Sequence, residues 1–113
     1  MQFTTQDPRG QELSLLKKTW NRHICTGHPE LFGHDDLVKR TVERPDYILV
    51  NDRDATRNDY FNLCNVPNNG SLSILKVVVD FSSGTGDIIT AYPIKNTVTQ
   101  AIVIKGGVLY ERP

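Results

Sequence analysis

The chain has 113 residues and only two cysteines, Cys25 and Cys64, far apart and with no CxxC partner. Without an export signal, free thiols are a better expectation than a disulfide. No apolar run approaches the roughly 18 residues that a membrane helix needs, and Met1 to Asp7 lacks the basic-then-apolar profile of a signal peptide. These absences point to a cytoplasmic chain with no membrane partner. An excess of charge of either sign is missing too, since thirteen basic residues offset thirteen acidic ones. No whole-molecule field would draw in a polyanion, so any nucleic-acid site must rest on a local patch. There is no Gly-rich phosphate cradle ahead of a helix, which counts against nucleotide-modifying or ADP-ribosyl-transferring enzymes. The three histidines have no cysteine or paired carboxylate at ligand spacing, so neither a metal nor another cofactor is expected. Repeats and Pro/Gly/Ser linkers are lacking as well, and residues 1–113 read as one domain.

What is present is a folded composition, 38% hydrophobic and 23% charged. Phe3 to Leu15 reads as a hairpin about Asp7-Pro8-Arg9-Gly10, which has proline and glycine where a tight turn wants them. Ser14 is then the expected cap of a helix whose apolar stripe is Leu16, Trp20 and Ile24, ended by Gly27. Pro29 forces His28 to be extended. A second helix is expected from about Asp35 to Glu43, burying Leu37, Val38, Thr41 and Val42, with acids at its start and Pro45 as its stop.

Beyond Pro45 the pattern turns to strands. Expected are Tyr47 to Val50, Tyr60 to Cys64 after a polar loop, Ser73 to Phe81, Ile88 to Ile94, and a last hairpin of Gln100 to Ile104 with Val108 to Glu111 about Gly106-Gly107. Pro67-Asn68-Asn69-Gly70 is a turn signal. The fold class that follows is α+β, with helices on one face of an antiparallel sheet and the other face left for a ligand.

Side chains alternate along the Ser73–Phe81 strand. Leu75, Val77, Val79 and Phe81 share the core face, while Lys76 stands on the other. Pairing Phe81 with Asp87 sets Lys76 opposite Tyr92 and Val78 opposite Thr90, with Cβ atoms about 4.5–5.5 Å apart. Lys76, Thr90 and Tyr92 then form a polar cluster, unless the lysine merely lays its stem along the sheet. His28, held out of the helix by Pro29, and His23, at the margin of the helix stripe, are the available imidazoles. Arg57 leads into a strand from the loop and can reach for a phosphate.

The order of segments resembles a known group. Trp20-x-x-His23-Ile24 is followed by His28-Pro29-Glu30-Leu31, Arg44-Pro45-Asp46-Tyr47-Ile48, Arg57-x-x-Tyr60-Phe61, Leu75-Lys76-Val77-Val78-Val79 and Ile89-Thr90-Ala91-Tyr92-Pro93-Ile94. Together they look like the phage-associated branch of the barnase–EndoU–colicin E5/D–RelE nuclease-like domains, from about residue 3 to 111. The resemblance implies an N-terminal hairpin and two helices on one face of a four- to five-stranded antiparallel sheet. It also implies metal-independent endoribonuclease activity on tRNA or mRNA, of the toxin kind. RNA would be the partner, with an antitoxin or immunity protein beside it. Carried onto this chain, the catalytic residues are His23, His28, Arg57 and Lys76, and the substrate-binding residues are Tyr60, Thr90 and Tyr92. The imidazoles would serve as acid and base, with His23 either the partner or the orienter of His28. Lys76 and Arg57 would stabilise the phosphorane-like transition state. The rival reading is a binding module on the same fold that has lost turnover.

Overall fold

A computed structural model describes residues 1–64, 66, 73–94 and 107–113. The expected turn at Pro67 to Gly70 and the strand Gln100 to Ile104 lie outside these residues. The chain opens with β1 (Phe3–Gln6) and β2 (Glu12–Leu15), an antiparallel hairpin in the register Phe3↔Leu15 to Gln6↔Glu12. Its turn is organised by Asp7. The carboxylate Oδ1 accepts the backbone N–H groups of Arg9 and Gln11 at 2.9 and 3.0 Å, and Gly10 takes the positive φ of 81° that closes the loop.

Ser14 does not cap a helix. It belongs to β2, opposite Thr4 and Asp87, and the helix starts after Leu16. The first helix runs through Lys17–Thr19, widens to a π-turn over Trp20–Ile24, and closes with Cys25–Gly27. Trp20 and Ile24 are buried, whereas Leu16, expected on the same stripe, is exposed because it sits outside the helix. A short 3₁₀ turn (Pro29–Leu31) leads to the second helix (Asp35–Glu43), whose Val38, Thr41 and Val42 are buried as the periodicity predicts.

The remaining strands are β3 (Tyr47–Val50), β4 (Arg57–Cys64), β5 (Ser73–Asp80), β6 (Gly86–Ile94) and β7 (Val108–Glu111). The domain is α+β, but among the described residues its sheet has seven strands in the order β1-β2-β6-β5-β4-β3-β7, not four or five. Nor is it purely antiparallel, because β2 runs parallel to β6 through Leu13↔Gly86 and Ser14↔Asp87. The N-terminal hairpin extends the sheet at one end instead of standing apart, and β7 pairs with β3 at the other. Gly86 is required where β2 joins, since a Cβ there would collide with the Leu13 side chain and lie 2.9 Å from Val79 Cγ1.

Both helices pack on one face. Trp20, Ile24, Val38 and Val42 join Leu75, Val77 and Val79 in the main core, and Phe81 packs at its margin. The second face is not bare, because Leu49, Phe61 and Val78 are buried there as well. Only Leu13 and Ser14 pair with β6, so the rest of that strand has no β2 neighbour. The first helix packs along this stretch, which lets its C-terminal end reach the second face.

Candidate functional site

The site grows from the β5–β6 register. Lys76 faces Tyr92 and Val78 faces Thr90, as alternation and turn length predict. The hairpin nevertheless ends in Asp80↔Asp87, not Phe81↔Asp87, because a β-bulge between Val78 and Val79 leaves Ile89 without a direct partner. On β4, Phe61 stands opposite Lys76, and Asp59 stands one step away on the same face. The Lys76 ammonium lies 3.6 Å from Asp59 Oδ2, 5.4 Å from the centre of the Tyr92 ring and 6.0 Å from that of Phe61. Asp59 is itself buried and its Oδ1 accepts the Asn51 amide at 2.9 Å.

With 15% of its side chain exposed, Lys76 is close to solvent without being bathed in it. Burial pulls its pKa down, but the Tyr92 phenol and the Asp59 charge more than offset that, leaving it above the ordinary lysine value. Lys76 is therefore a standing cation, suited to holding an anion and not to taking up protons.

His28 arrives from the opposite direction. Ahead of Pro29 the His28 backbone, with φ −136° and ψ 77°, is kept out of the helical region but is not fully extended, and the imidazole stacks on Tyr92 with centroids 5.9 Å apart and planes 20° from parallel. Its Nδ1 lies 3.0 Å from Glu30 Oε1. An ionised carboxylate only accepts, so this contact places the proton of the neutral ring on Nδ1 and leaves Nε2 with a free lone pair. His28, Tyr92 and Lys76 thus form a continuous stack, base next to phenol next to cation, with Thr90 on the same face of β6.

Three expected members stand elsewhere. Tyr60 is wholly buried on the helix-covered face, where its hydroxyl donates to Asp7 Oδ2 at 2.6 Å and accepts from Arg9 Nη2 at 2.9 Å. Burial, then Asp7, raise its pKa far above the phenol range. Arg57 shares the Lys76 face but lies four positions along β4 from Phe61, roughly 13 Å at strand rise. Its Nε is engaged by Asp80 at 3.1 Å and Asp54 at 3.5 Å. His23 is exposed on the first helix and lines a depression with Lys18, Thr19, Arg22 and Ile89. Among the described residues, no three of His, Cys, Asp and Glu gather to hold a metal ion.

No family model, curated protein or solved structure matches the chain. The site is therefore read from its own geometry. Glu30 and Asp59 went unnoticed in the sequence although both carried a signal. Glu30 lies two residues beyond His28 across a proline that bends the chain back. Asp59 alternates with Phe61, so any β4 that extends past Tyr60 puts it diagonal to Lys76.

The Arg57–Asp80 pair has a separate consequence. The Ser82 hydroxyl and backbone N–H, then Arg57, hold the Asp80 carboxyl down at about 2. A depressed carboxyl pKa adds stability above the unfolded value of about 4 and loses it as pH falls toward 2. Thermal melts of the wild type and Asp80→Asn should therefore differ by a constant gap above pH 5 that closes between about pH 4 and pH 2. A gap that persists unchanged at pH 2 would exclude this role.

Proposed function

We propose that the chain is an endoribonuclease that cleaves RNA by attack of the 2′-hydroxyl on the adjacent phosphorus. The observation that carries this reading is the Glu30-oriented imidazole of His28 next to Tyr92 and the cationic Lys76. Nε2 of His28 takes the 2′-hydroxyl proton, the O2′–P bond forms and the P–O5′ bond breaks. Water supplies the proton for the departing 5′-oxygen. Lys76 stabilises the charge that gathers on the non-bridging oxygens, and the hydroxyls of Tyr92 and Thr90 donate to the same phosphate. The orienter of the base is Glu30 in this scheme, in place of His23. No step requires a bound metal, and RNA of the tRNA or mRNA class is the substrate.

Kinship with the barnase–EndoU–colicin E5/D–RelE nucleases is part of the proposal. What supports it is the antiparallel core β6-β5-β4-β3, with helices on one face and the His28–Lys76 group on the other. The N-terminal hairpin and β7 are then additions to a four-stranded nuclease sheet. A toxin-like role in the cytoplasm, restrained by an antitoxin or immunity protein, belongs to the same reading.

Incubation of a bulk tRNA and mRNA pool in EDTA should yield fragments with 2′,3′-cyclic phosphate and 5′-hydroxyl ends. Equal cleavage by wild type and a His28→Ala, Lys76→Ala double variant would sink the assignment. The alternative, a non-catalytic binding module, is favoured by one observation: a single histidine, not two, reaches Lys76's neighbourhood. Retention of RNA without product would decide for it.

A further inference from the structure

The proposed reaction occupies the C-terminal end of the first helix, yet the cationic character of that helix lies further back. Between Glu12 and Glu30 the chain has no acidic residue, while it carries Lys17, Lys18 and Arg22. In a protein of zero net charge this is a local concentration of one sign. Trp20 and Ile24 pin one side of the helix into the core, which turns Lys18, Arg22 and His23 outward. Arg22 and His23 lie within the π-turn, a widening of the helix often found at functional positions. Among the described residues, no acidic side chain lies within ion-pairing distance of Lys18 or Arg22.

These three side chains, with Thr19, wall a shallow depression of about 300 Å³ whose remaining side is Ile89. Ile89 is the bulged residue of β6. Tyr92, three residues onward on the same strand, points to the opposite face; the first helix instead joins the depression to the reacting group, since His28 ends it five residues after His23. The depression and the reacting group therefore follow one another along that helix, about 7.5 Å apart at helix rise, little more than a nucleotide's reach. Two cations, Lys18 and Arg22, with no carboxylate among the described residues in ion-pairing distance, around an open hollow with an apolar wall, suit a phosphodiester flanked by a sugar or base edge.

We infer that Lys18, Arg22 and His23 form a second subsite, which grips a backbone phosphate of single-stranded RNA beside the one held at Lys76. The inference rests on the proposed ribonuclease reading and assigns His23 to strand binding instead of proton transfer. Two phosphates gripped at an offset along the first helix would fix the direction of the strand across His28. Chain length then matters for affinity: a substrate too short to span both subsites forfeits the second.

The test is binding of fluorescent 2′-O-methyl oligouridylates, which cannot be cut, to the wild type and to Lys18→Ala, Arg22→Ala. Both replaced residues lie outside the core, and circular dichroism checks that the variant is folded. An octanucleotide should bind the wild type at least about tenfold more tightly than a dinucleotide, and the variant should lose most of that advantage. The slope of log affinity against log salt should fall by about 1.4, two contacts' worth for a single strand. Tight octanucleotide binding that the variant leaves unchanged overturns the subsite and spares the ribonuclease reading. Failure of the wild type to bind either oligonucleotide overturns both. Displacement of the octanucleotide by polyglutamate of equal charge as readily as by unlabelled octanucleotide overturns the assignment in favour of an acidic protein surface.

Discussion

His28→Ala is expected to lower the rate of RNA cleavage by about 10²–10⁴-fold, the range in which a positioned general base contributes. The variant should fold, because His28 is part-exposed and its side chain contacts Tyr92 and Glu30 without entering the main core. Glu30→Gln sharpens the expectation. A glutamine carbonyl still accepts from Nδ1 and keeps the ring in place, but it carries no charge to stabilise the imidazolium that forms as the 2′-hydroxyl proton moves. Its effect should be smaller than that of His28→Ala and should fall on kcat with KM nearly unchanged. Lys76→Ala should instead raise KM and lower kcat together, since one cation both holds the phosphate and meets the charge of the transition state. Removing Lys76 also leaves Asp59 buried without its cation, so a folded fraction measured by circular dichroism must accompany the rates. A His28→Ala protein that cuts within threefold of wild type would remove the imidazole from the mechanism.

The parts of this architecture that could be read from the sequence are those set by periodicity. Leu75, Val77 and Val79 against Lys76 is a period of two over a long strand, and one slip would put a lysine in the core, so the register has a single low-energy answer. Tyr92 follows from it, even though the bulge at Ile89 displaces the turn end of the hairpin by one residue. The second helix was legible for a similar reason: acids at its start, an apolar face and a proline stop all agree. Tyr60 failed because the strand was expected to begin with it. In fact β4 begins at Arg57, and residues three apart in a strand face opposite sides, so Arg57 and Tyr60 cannot serve one site. Ser14 failed because a serine before a helical run is equally at home in an edge hairpin that has found a neighbour. The parallel docking of β2 on β6 is a contact between distant segments that leaves no local pattern, apart from Gly86, whose missing Cβ makes room for Leu13. The π-turn likewise has no spacing of its own to announce it. The stack of His28 on Tyr92 needed both the proline and that long-range docking, and only the first of these is written locally.

Asp7→Ala should cost about 3 kcal/mol of stability, the lower end of what removing one partner of a buried ion pair costs, and lower Tm by roughly 10–20 °C. The Asp7 side chain is fully shielded and both its oxygens are saturated. Oδ1 shapes the hairpin turn through Arg9 and Gln11, while Oδ2 accepts Arg9 Nε at 3.1 Å, Arg9 Nη2 at 2.9 Å and the Tyr60 hydroxyl at 2.6 Å. One carboxylate thus ties the tip of β1–β2 to the middle of the sheet. The alanine variant strands the Arg9 guanidinium, which lies over the Tyr60 and Phe81 rings and keeps only 22% of its side chain in solvent. That exposure is why the lower end of the range applies: water can reach part of the orphaned cation. Tyr60→Phe, which removes one hydrogen bond and no charge, should cost only about 1 kcal/mol. The double variant Asp7→Ala, Arg9→Ala should be less destabilised than the two single losses added together, because no lone charge remains. Urea titrations of the five proteins, wild type, Asp7→Ala, Arg9→Ala, Tyr60→Phe and the double variant, measure these free energies. A loss below 1 kcal/mol for Asp7→Ala, or strict additivity in the double variant, would mean that packing alone holds the hairpin to the sheet.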